Sequence, residues 1–341
     1  MIRSVLAGIA LLMIAASGTF ASQTPGSGPG NYGKRADVQE FIMEMVERHG
    51  FVARELRTLF SKVHYRQAIV RAMTPPPEAP VRSWQVYRGL FVNRERIEAG
   101  IGFRKRHGEA LARAAQEFGV PAEIIVAILG VETVYGRNTG THRVIDALAT
   151  LAFDFPSRSE FFRAELVHFL LYARENGIDV FAARGSYAGA LGIPQFMPGS
   201  YRRYALDYDG DGRSDLNSSP ADAIGSVANF LRSHGWSTGK PIAVRAQVSG
   251  EAFRPLIDAG IRPVYRVVDL PAFGVTVRGG TGTPALPPDA GCALIELETP
   301  GQASEYWVGL RNFYVLTRYN RSSFYAIAVV ELAGAIAAEA P

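Results

Sequence analysis

The chain reads as an α+β protein, mainly α-helical, with an N-terminal helical part and a small β-rich insertion ahead of its last helix. Apolar residues recur at helical spacing across most of residues 38–235. Short β-prone runs between Gly/Pro loops then fill 240–303, before helical spacing returns at 322–338. With 341 residues, 48% hydrophobic and 20% charged, the chain is long enough for two domains and a sizeable core. The 20 prolines and 35 glycines follow no repeat period and mark loops.

Taken in order, the first 21 residues have the make-up of a secretory signal peptide. Arg3 precedes an apolar run over 5–16, and Thr19-Phe20-Ala21 places small residues for cleavage near Ala21. The run is too short to span a membrane comfortably. No Cys follows it, so the expectation is a periplasmic protein without a lipid or stable membrane anchor. Residues 22–36 read as a disordered linker, since 22–34 are rich in Gly, Pro and Ser. Residues 37–239 and 304–338 are expected to form the helical domain.

Within that domain, Phe41, Ile42, Met45 and Val46 lie on one helical face, and Gly50 ends the helix. A second helix is predicted over 54–63. Pro75-Pro76-Pro77 breaks the chain, aromatic packing follows around Trp84, Tyr87 and Phe91, and one helix is predicted over 97–118. Pro121 suits a first helical position, with Glu123 at the positive end. The run Ile124 to Val131 is apolar nearly all round and should be buried. Further helices are expected over 144–153, 159–176 and 221–235, and strands over 242–248, 264–268, 273–277 and 293–297. The single cysteine, Cys292, can form neither an intrachain disulfide nor a metal cluster, and it suits a buried strand.

A net charge of +4 favours an anionic partner such as a cell-wall polymer. There is no dense Lys/Arg run and no nucleic-acid motif, which argues against nucleic acid.

Two segments carry candidate chemistry. Glu132 closes the apolar run in Gly130-Val131-Glu132-Thr133-Val134-Tyr135-Gly136-Arg137. Burial there would raise its pKa from about 4.3 toward about 6, giving an acid that donates a proton and then takes one back. The alternative is a helix-end residue paired with Arg137 or Arg143. Ser186 and Gln195 are isolated polar residues in the small-residue stretch 185–198, where close backbone approach to a ligand is feasible. That stretch also suits a tight helix-packing loop.

Together these segments resemble the membrane-bound lytic murein transglycosylase B family of the lysozyme-like superfamily, here in a non-lipidated form. The resemblance runs through 119–137, Asp146-Ala147-Leu148-Ala149-Thr150-Leu151, 186–198, 222–229, His234-Gly235-Trp236 and 312–320, in the family's order. It implies a lysozyme-like catalytic domain and places the catalytic glutamate on Glu132. Substrate-binding residues fall on Ser186, Gln195, Arg158, Tyr319 and Asn320. Ser157 and Phe161 depart from the Arg and Tyr of the family pattern. The implied reaction cleaves the bond between N-acetylmuramic acid and N-acetylglucosamine in peptidoglycan, needs no catalytic cofactor, and leaves 1,6-anhydro ends. Glycan strands are the implied partner, with other cell-wall enzymes as further candidates. A hydrolytic muramidase and a non-catalytic wall-binding protein are the competing readings; Asp146 and Asp154, the next carboxylates along the chain after Glu132, are the candidates for the former.

The segment Asp207-Tyr208-Asp209-Gly210-Asp211-Gly212-Arg213-Ser214-Asp215 follows an EF-hand loop for nine residues, with Gly212 at the sharp turn. Asp207, Asp209, Asp211, the Arg213 carbonyl and Asp215 are the expected ligands of a structural Ca²⁺ (or Na⁺). Ser218 stands where the loop's final Glu belongs, and Asp222 is the expected substitute. A plain acidic turn is the alternative. The six histidines lack paired metal spacing, and Tyr135, Tyr187, Tyr201 and Trp236 suit either sugar stacking or the core.

Overall fold

The computed structural model describes residues 31–74, 83–277 and 286–339. The signal peptide and its cleavage point, linker residues 22–30, the Pro75-Pro76-Pro77 break and the glycine-rich 279–283 segment lie outside the described residues.

The chain is ordered earlier than its composition suggests. Tyr32 is fully buried, and its hydroxyl donates to Asp154 Oδ2 at 2.5 Å. Arg35 bridges Asp37 at 2.6 Å and Asp154 at 2.7 Å. These anchors tie down residues 31–36, the end of the segment expected to be disordered.

Helices α1 (Ala36–His49), α2 (Ala53–Ser61) and α3 (Gln67–Met73) form the N-terminal part. Gly50 closes α1 at φ +66°, a left-handed cap as the sequence predicts. Next come α4 (Trp84–Phe91), α5 (Arg94–Arg106) and α6 (Gly108–Phe118). The single helix expected over 97–118 is thus two, broken at His107, whose backbone leaves the helical region ahead of Gly108. The central helix α7 (Ala122–Thr133) is buried from Ile124 to Thr133 without interruption. Pro121 is its extended N-cap, one position earlier than expected.

Helices α8 (Val144–Asp154) and α9 (Ser159–Glu175) pack on each other, followed by α10 (Pro198–Tyr204) and α11 (Pro220–Ser233). A two-residue ladder pairs β1 (His142–Arg143) with β2 (Arg184–Gly185). The chain ends in α13 (Arg311–Tyr319) and α14 (Ser323–Glu339). Helix α14 is apolar and lies against α7, so each buries the other's face in one core. Among the described residues no single helix is long and apolar enough to cross a membrane.

The insertion holds β3 (Ala243–Val248), α12 (Arg254–Asp258), β4 (Tyr265–Arg266), β5 (Val275–Val277), β6 (Gly291–Leu297) and β7 (Glu305–Gly309). The five strands make an antiparallel sheet in the order β4-β6-β7-β3-β5. β7 lies beyond residue 303, where the sequence reading ended the insertion, yet it joins β6 to β3. One sheet face turns Ala293, Ile295 and Trp307 into the helical core. The other buries Cys292, Leu294 and Val308 with Leu256 in a small core of its own. Burial of both faces explains the near-continuous apolar run of β6, and it raises the Cys292 thiol to about 11.

Candidate active site

The last turn of α7 is built to end abruptly. Thr133 Oγ1 donates to the Ile193 carbonyl at 2.7 Å and accepts from Gly136 N–H at 2.9 Å. Val134 and Tyr135 both adopt left-handed backbone, at φ 52° and 60°. That conformation costs a non-glycine residue roughly 1–2 kcal/mol. It turns the Tyr135 hydroxyl onto the Arg96 carbonyl at 2.9 Å. A Cβ at Gly100 or Gly130 would come within 2.4 or 2.5 Å of that hydroxyl, so the close approach requires glycine at both positions.

Glu132 is 8% exposed on this turn. Its Oε1 accepts one hydrogen bond, from the Tyr325 hydroxyl of α14 at 2.8 Å. Burial pushes its pKa up to about 8, well above the value of about 6 suggested by sequence, while the Tyr325 bond pulls it partly back. The cations that could have paired with it lie elsewhere: Arg137 is 3.9 Å from Glu95, and Arg143 is 3.4 Å from Asp146. The helix-end ion pair considered from sequence is therefore not formed.

Glu132 also has no carboxylate companion among the described residues. Asp146 is clamped by Arg66 at 2.7 Å and accepts His64 N–H at 3.1 Å. Asp154 is held by Tyr32 and Arg35. Both carboxylates brace the N-terminal helices.

The Tyr325 ring lies parallel to that of Tyr319, 6.3 Å away at 12°. Tyr319 donates its hydroxyl to the Pro194 carbonyl at 2.6 Å, fixing the peptide before Gln195, which sits at φ +53°. Gln195 Nε2 bonds the Thr139 and Gly192 carbonyls at 3.0 and 2.9 Å, so its amide N–H groups hold the loop. Ser186 is 7% exposed, and its Oγ accepts from Ala188 and Ala190 N–H at 3.2 and 3.0 Å. The 186–196 segment is thereby a rigid loop docked on the end of α7 through Thr133 and Ile193. Asn320 accepts from Ser322 N–H at 3.2 Å, and its buried Nδ2 has no partner among the described residues. Arg158, half-buried on the turn before α9, lies within electrostatic reach of Arg321, the neighbour of Asn320, with its guanidinium 4.4 Å from the Phe161 ring centre and 5.2 Å from that of Phe162.

Tyr325 was missed by sequence reasoning. Its only signal was a polar tip inside an apolar helix, six residues beyond Tyr319. Replacing it with Phe removes the bond that favours ionised Glu132. We expect the alkaline limb of the activity profile to move up in pH and kcat to fall on the order of tenfold. A pH–rate series on Tyr325→Phe checks both. Of the aromatics weighed for sugar stacking, Tyr201 and Trp236 belong to the core, at 2% and 3% exposure.

The acidic loop gathers three of its expected ligands. Carboxylate oxygens of Asp207, Asp209 and Asp211 lie within 4.8 Å of one another and are exposed. Gly212 supplies the turn at φ +92° and donates to Asp207 Oδ2 at 2.8 Å. Two expected ligands are engaged elsewhere. Asp215 folds back on Asn217 N–H at 2.8 Å and on the Ser218 hydroxyl. Asp222 is fully buried and accepts N–H bonds from Tyr208, Asp209 and Asp215, at 2.7, 3.2 and 2.7 Å. Asp222, the expected substitute ligand, is the acceptor that shapes the loop from below.

The family model described as Transglycosylase SLT domain matches residues 33–334. The chain belongs to this SLT transglycosylase family. Over 316 residues it is 41% identical to the membrane-bound lytic murein transglycosylase B of Escherichia coli K12, covering 90% of this chain and 84% of that protein. It is 47% identical to the catenated lytic transglycosylase SltB1 of Pseudomonas aeruginosa, with a TM-score of 0.83 over 90% of this chain and 99% of the other. It is 40% identical to Escherichia coli Slt35, solved in complex with calcium, with a TM-score of 0.78 over 91% and 95% of the two chains. Likeness over nearly the whole SLT fold includes the β insertion as well as the helical body.

Proposed function

We infer that this SLT family member is a lytic murein transglycosylase. It cleaves the β-1,4 bond between N-acetylmuramic acid and N-acetylglucosamine in peptidoglycan and leaves 1,6-anhydro ends. The observation that carries the reading is Glu132: one carboxyl, buried, held neutral near physiological pH, with no second carboxylate beside it among the described residues.

Protonated Glu132 gives its proton to the glycosidic oxygen. The bond to C1 of the muramic ring breaks, the glucosamine leaves as an alcohol, and positive charge develops at C1. The 6-hydroxyl of the same ring attacks C1, and its proton passes to the Glu132 carboxylate. The acid is regenerated and no water is consumed. Hydrolytic glycosidases normally place a second carboxylate about 5–9.5 Å from the first, as nucleophile or to activate water. Asp146 and Asp154 are held in ion pairs and cannot take that part. The Tyr325 hydroxyl steadies Glu132 in its ionised half-cycle. Ser186, Gln195, Tyr319, Asn320 and Arg158 are the proposed substrate contacts. Tyr319 contributes by fixing Pro194 and the loop at Gln195.

Digesting sacculi in ¹⁸O-labelled water tests the reaction. The expected products are lighter than hydrolytic ones by one water and carry no label. Labelled reducing ends would make the protein a muramidase, and no soluble product would make it a binder.

The acidic loop is proposed to hold a structural Ca²⁺ through Asp207, Asp209 and Asp211, with the Arg213 carbonyl and waters completing the oxygen shell. None of the three carboxylates is in an ion pair among the described residues, so the donor set suits a hard cation. The missing final Glu makes affinity low, in the range of extracellular modules, about 10⁻⁴–10⁻³ M. Raising Ca²⁺ to about ten times such a Kd should stabilise the fold by about 1.4 kcal/mol. That shift in Tm should vanish in Asp207→Asn. The ion would brace the loop between the Gln195 segment and α11. Export to the periplasm, with cleavage near Ala21, completes the proposal.

A further inference from the structure

Glu132 is bracketed by two attachments to a single residue of α5, Arg96. Two positions before it, the Gly130 carbonyl accepts from Arg96 Nε at 3.1 Å. Three positions after it, the Tyr135 hydroxyl donates to the Arg96 carbonyl at 2.9 Å. Arg96 is itself held. Its backbone N–H donates at 3.0 Å to Asn93 Oδ1, the N-cap of α5, and its guanidinium lies 5.1 Å from the Phe91 ring centre.

The guanidinium spans two helix ends. Nη1 donates to the Leu90 carbonyl in the last turn of α4, while Nε reaches the last turn of α7. Both are negative ends of helix dipoles, which suits a cation. Arg96 makes no salt bridge among the described residues, and burial pulls its pKa below the ordinary value. Burying a charge without a carboxylate partner costs stability. Hydrogen-bond satisfaction does not explain that cost. The Gly130 carbonyl already accepts Val134 N–H at 3.2 Å, and the Leu90 carbonyl accepts Asn93 Nδ2 at 3.0 Å. Neither would be orphaned without the guanidinium. What it adds is a fixed spacing between α4, α5 and the end of α7. An arginine fork suits that task because its N–H groups point in set directions, whereas an ammonium is a point charge. The turn needs such a brace, since Val134 and Tyr135 are both held at positive φ and neither is glycine. Relaxation there would rotate the end of α7 and carry the Glu132 carboxyl away from the Tyr325 hydroxyl, now at 2.8 Å.

We propose that Arg96 is a positioning residue of the reaction, aiming the Glu132 carboxyl by clamping the last turn of α7 from both sides. It acts through the backbone at Gly130 and the ring of Tyr135, and not by contact with the reacting atoms. Its effect on turnover rests on the transglycosylase reading; its effect on the placement of Glu132 does not.

The test uses Arg96→Met, which removes the charge, and Arg96→Lys, which keeps the charge and loses the fork, each alone and combined with Tyr325→Phe. Tyr135→Phe removes the other half of the clamp with the loss of one hydroxyl, and it serves if the Arg96 variants fold poorly. On solubilised glycan strands each single variant should lower kcat about ten- to a hundredfold and leave KM within about twofold. Tm should stay within about 3 °C of wild type, because no carbonyl is orphaned. The Glu132 titration midpoint, read by ¹³C NMR without substrate, should rise as the Tyr325 bond loosens. Combined with Tyr325→Phe, the Arg96 variants should add little to that rise or to the loss of kcat. Wild-type kcat in the variants would overturn the proposal, as would full activity in Arg96→Lys, which would make the charge and not the fork the active feature. So would effects that simply add to those of Tyr325→Phe, or a lower Tm with kcat per folded molecule unchanged. A raised midpoint that depends on Tyr325 supports the placement even if wild type yields no anhydro ends, a result that would sink the transglycosylase reading instead.

Discussion

Glu132→Gln should abolish release of anhydro ends, lowering kcat/KM by at least about 10³-fold. Glutamine keeps the size of the side chain and an oxygen to accept from Tyr325, so the core around it should be undisturbed. What it lacks is the proton. One residue performs both halves of the reaction, and no described carboxylate is free to replace it, since Asp146 and Asp154 are clamped. Assays on purified sacculi with mass-spectrometric product detection check the loss; substrate should still bind. Activity near that of wild type would mean another group donates the proton.

The same substitution should stabilise the protein at neutral and alkaline pH. Glu132 titrates near 8 when folded, against an ordinary 4.5. A carboxyl whose folded pKa is raised prefers to keep its proton, so folding is opposed once the unfolded chain ionises. Below about pH 4 both states are protonated and Glu132→Gln should change little. The cost to wild type then grows by about 1.4 kcal/mol per pH unit from the unfolded pKa and levels off above the folded one. At pH 7 the variant should be more stable by up to roughly 3 kcal/mol. Urea unfolding across this range measures the slope. An advantage that did not vary with pH would point to packing rather than to ionisation.

The catalytic helix was legible because its signal is local. Eight apolar residues from Ile124 to Val131 leave no polar face, so a helix there must be central, and Glu132 must be carried into the interior. The charge state of that residue was legible only in direction. Its depth and its single partner depend on α14, which arrives almost 200 residues later in the chain. The same limit explains Tyr325, whose role appears only when α14 lies on α7. β7 was missed because a strand of five residues becomes recognisable through its pairing with β6 and β3. Short helices such as α10 and α12 carry too few turns to show a period. Asp222 shows what spacing leaves out: its type and position fit a metal ligand, and the fold adds that it accepts the backbone amides of Tyr208, Asp209 and Asp215. Gln195 has two parts: its amide N–H groups hold the loop, and its carbonyl oxygen is the part proposed to meet a sugar.

Everything chemical here depends on Glu132 holding its proton in the resting enzyme. Selective ¹³C labelling of glutamate side chains, with Glu132→Gln to assign the resonance, gives its titration curve directly. A midpoint near 8, moving upward in Tyr325→Phe, is the expected result. A carboxyl already ionised above about pH 5, as in an ordinary exposed glutamate, would contradict it.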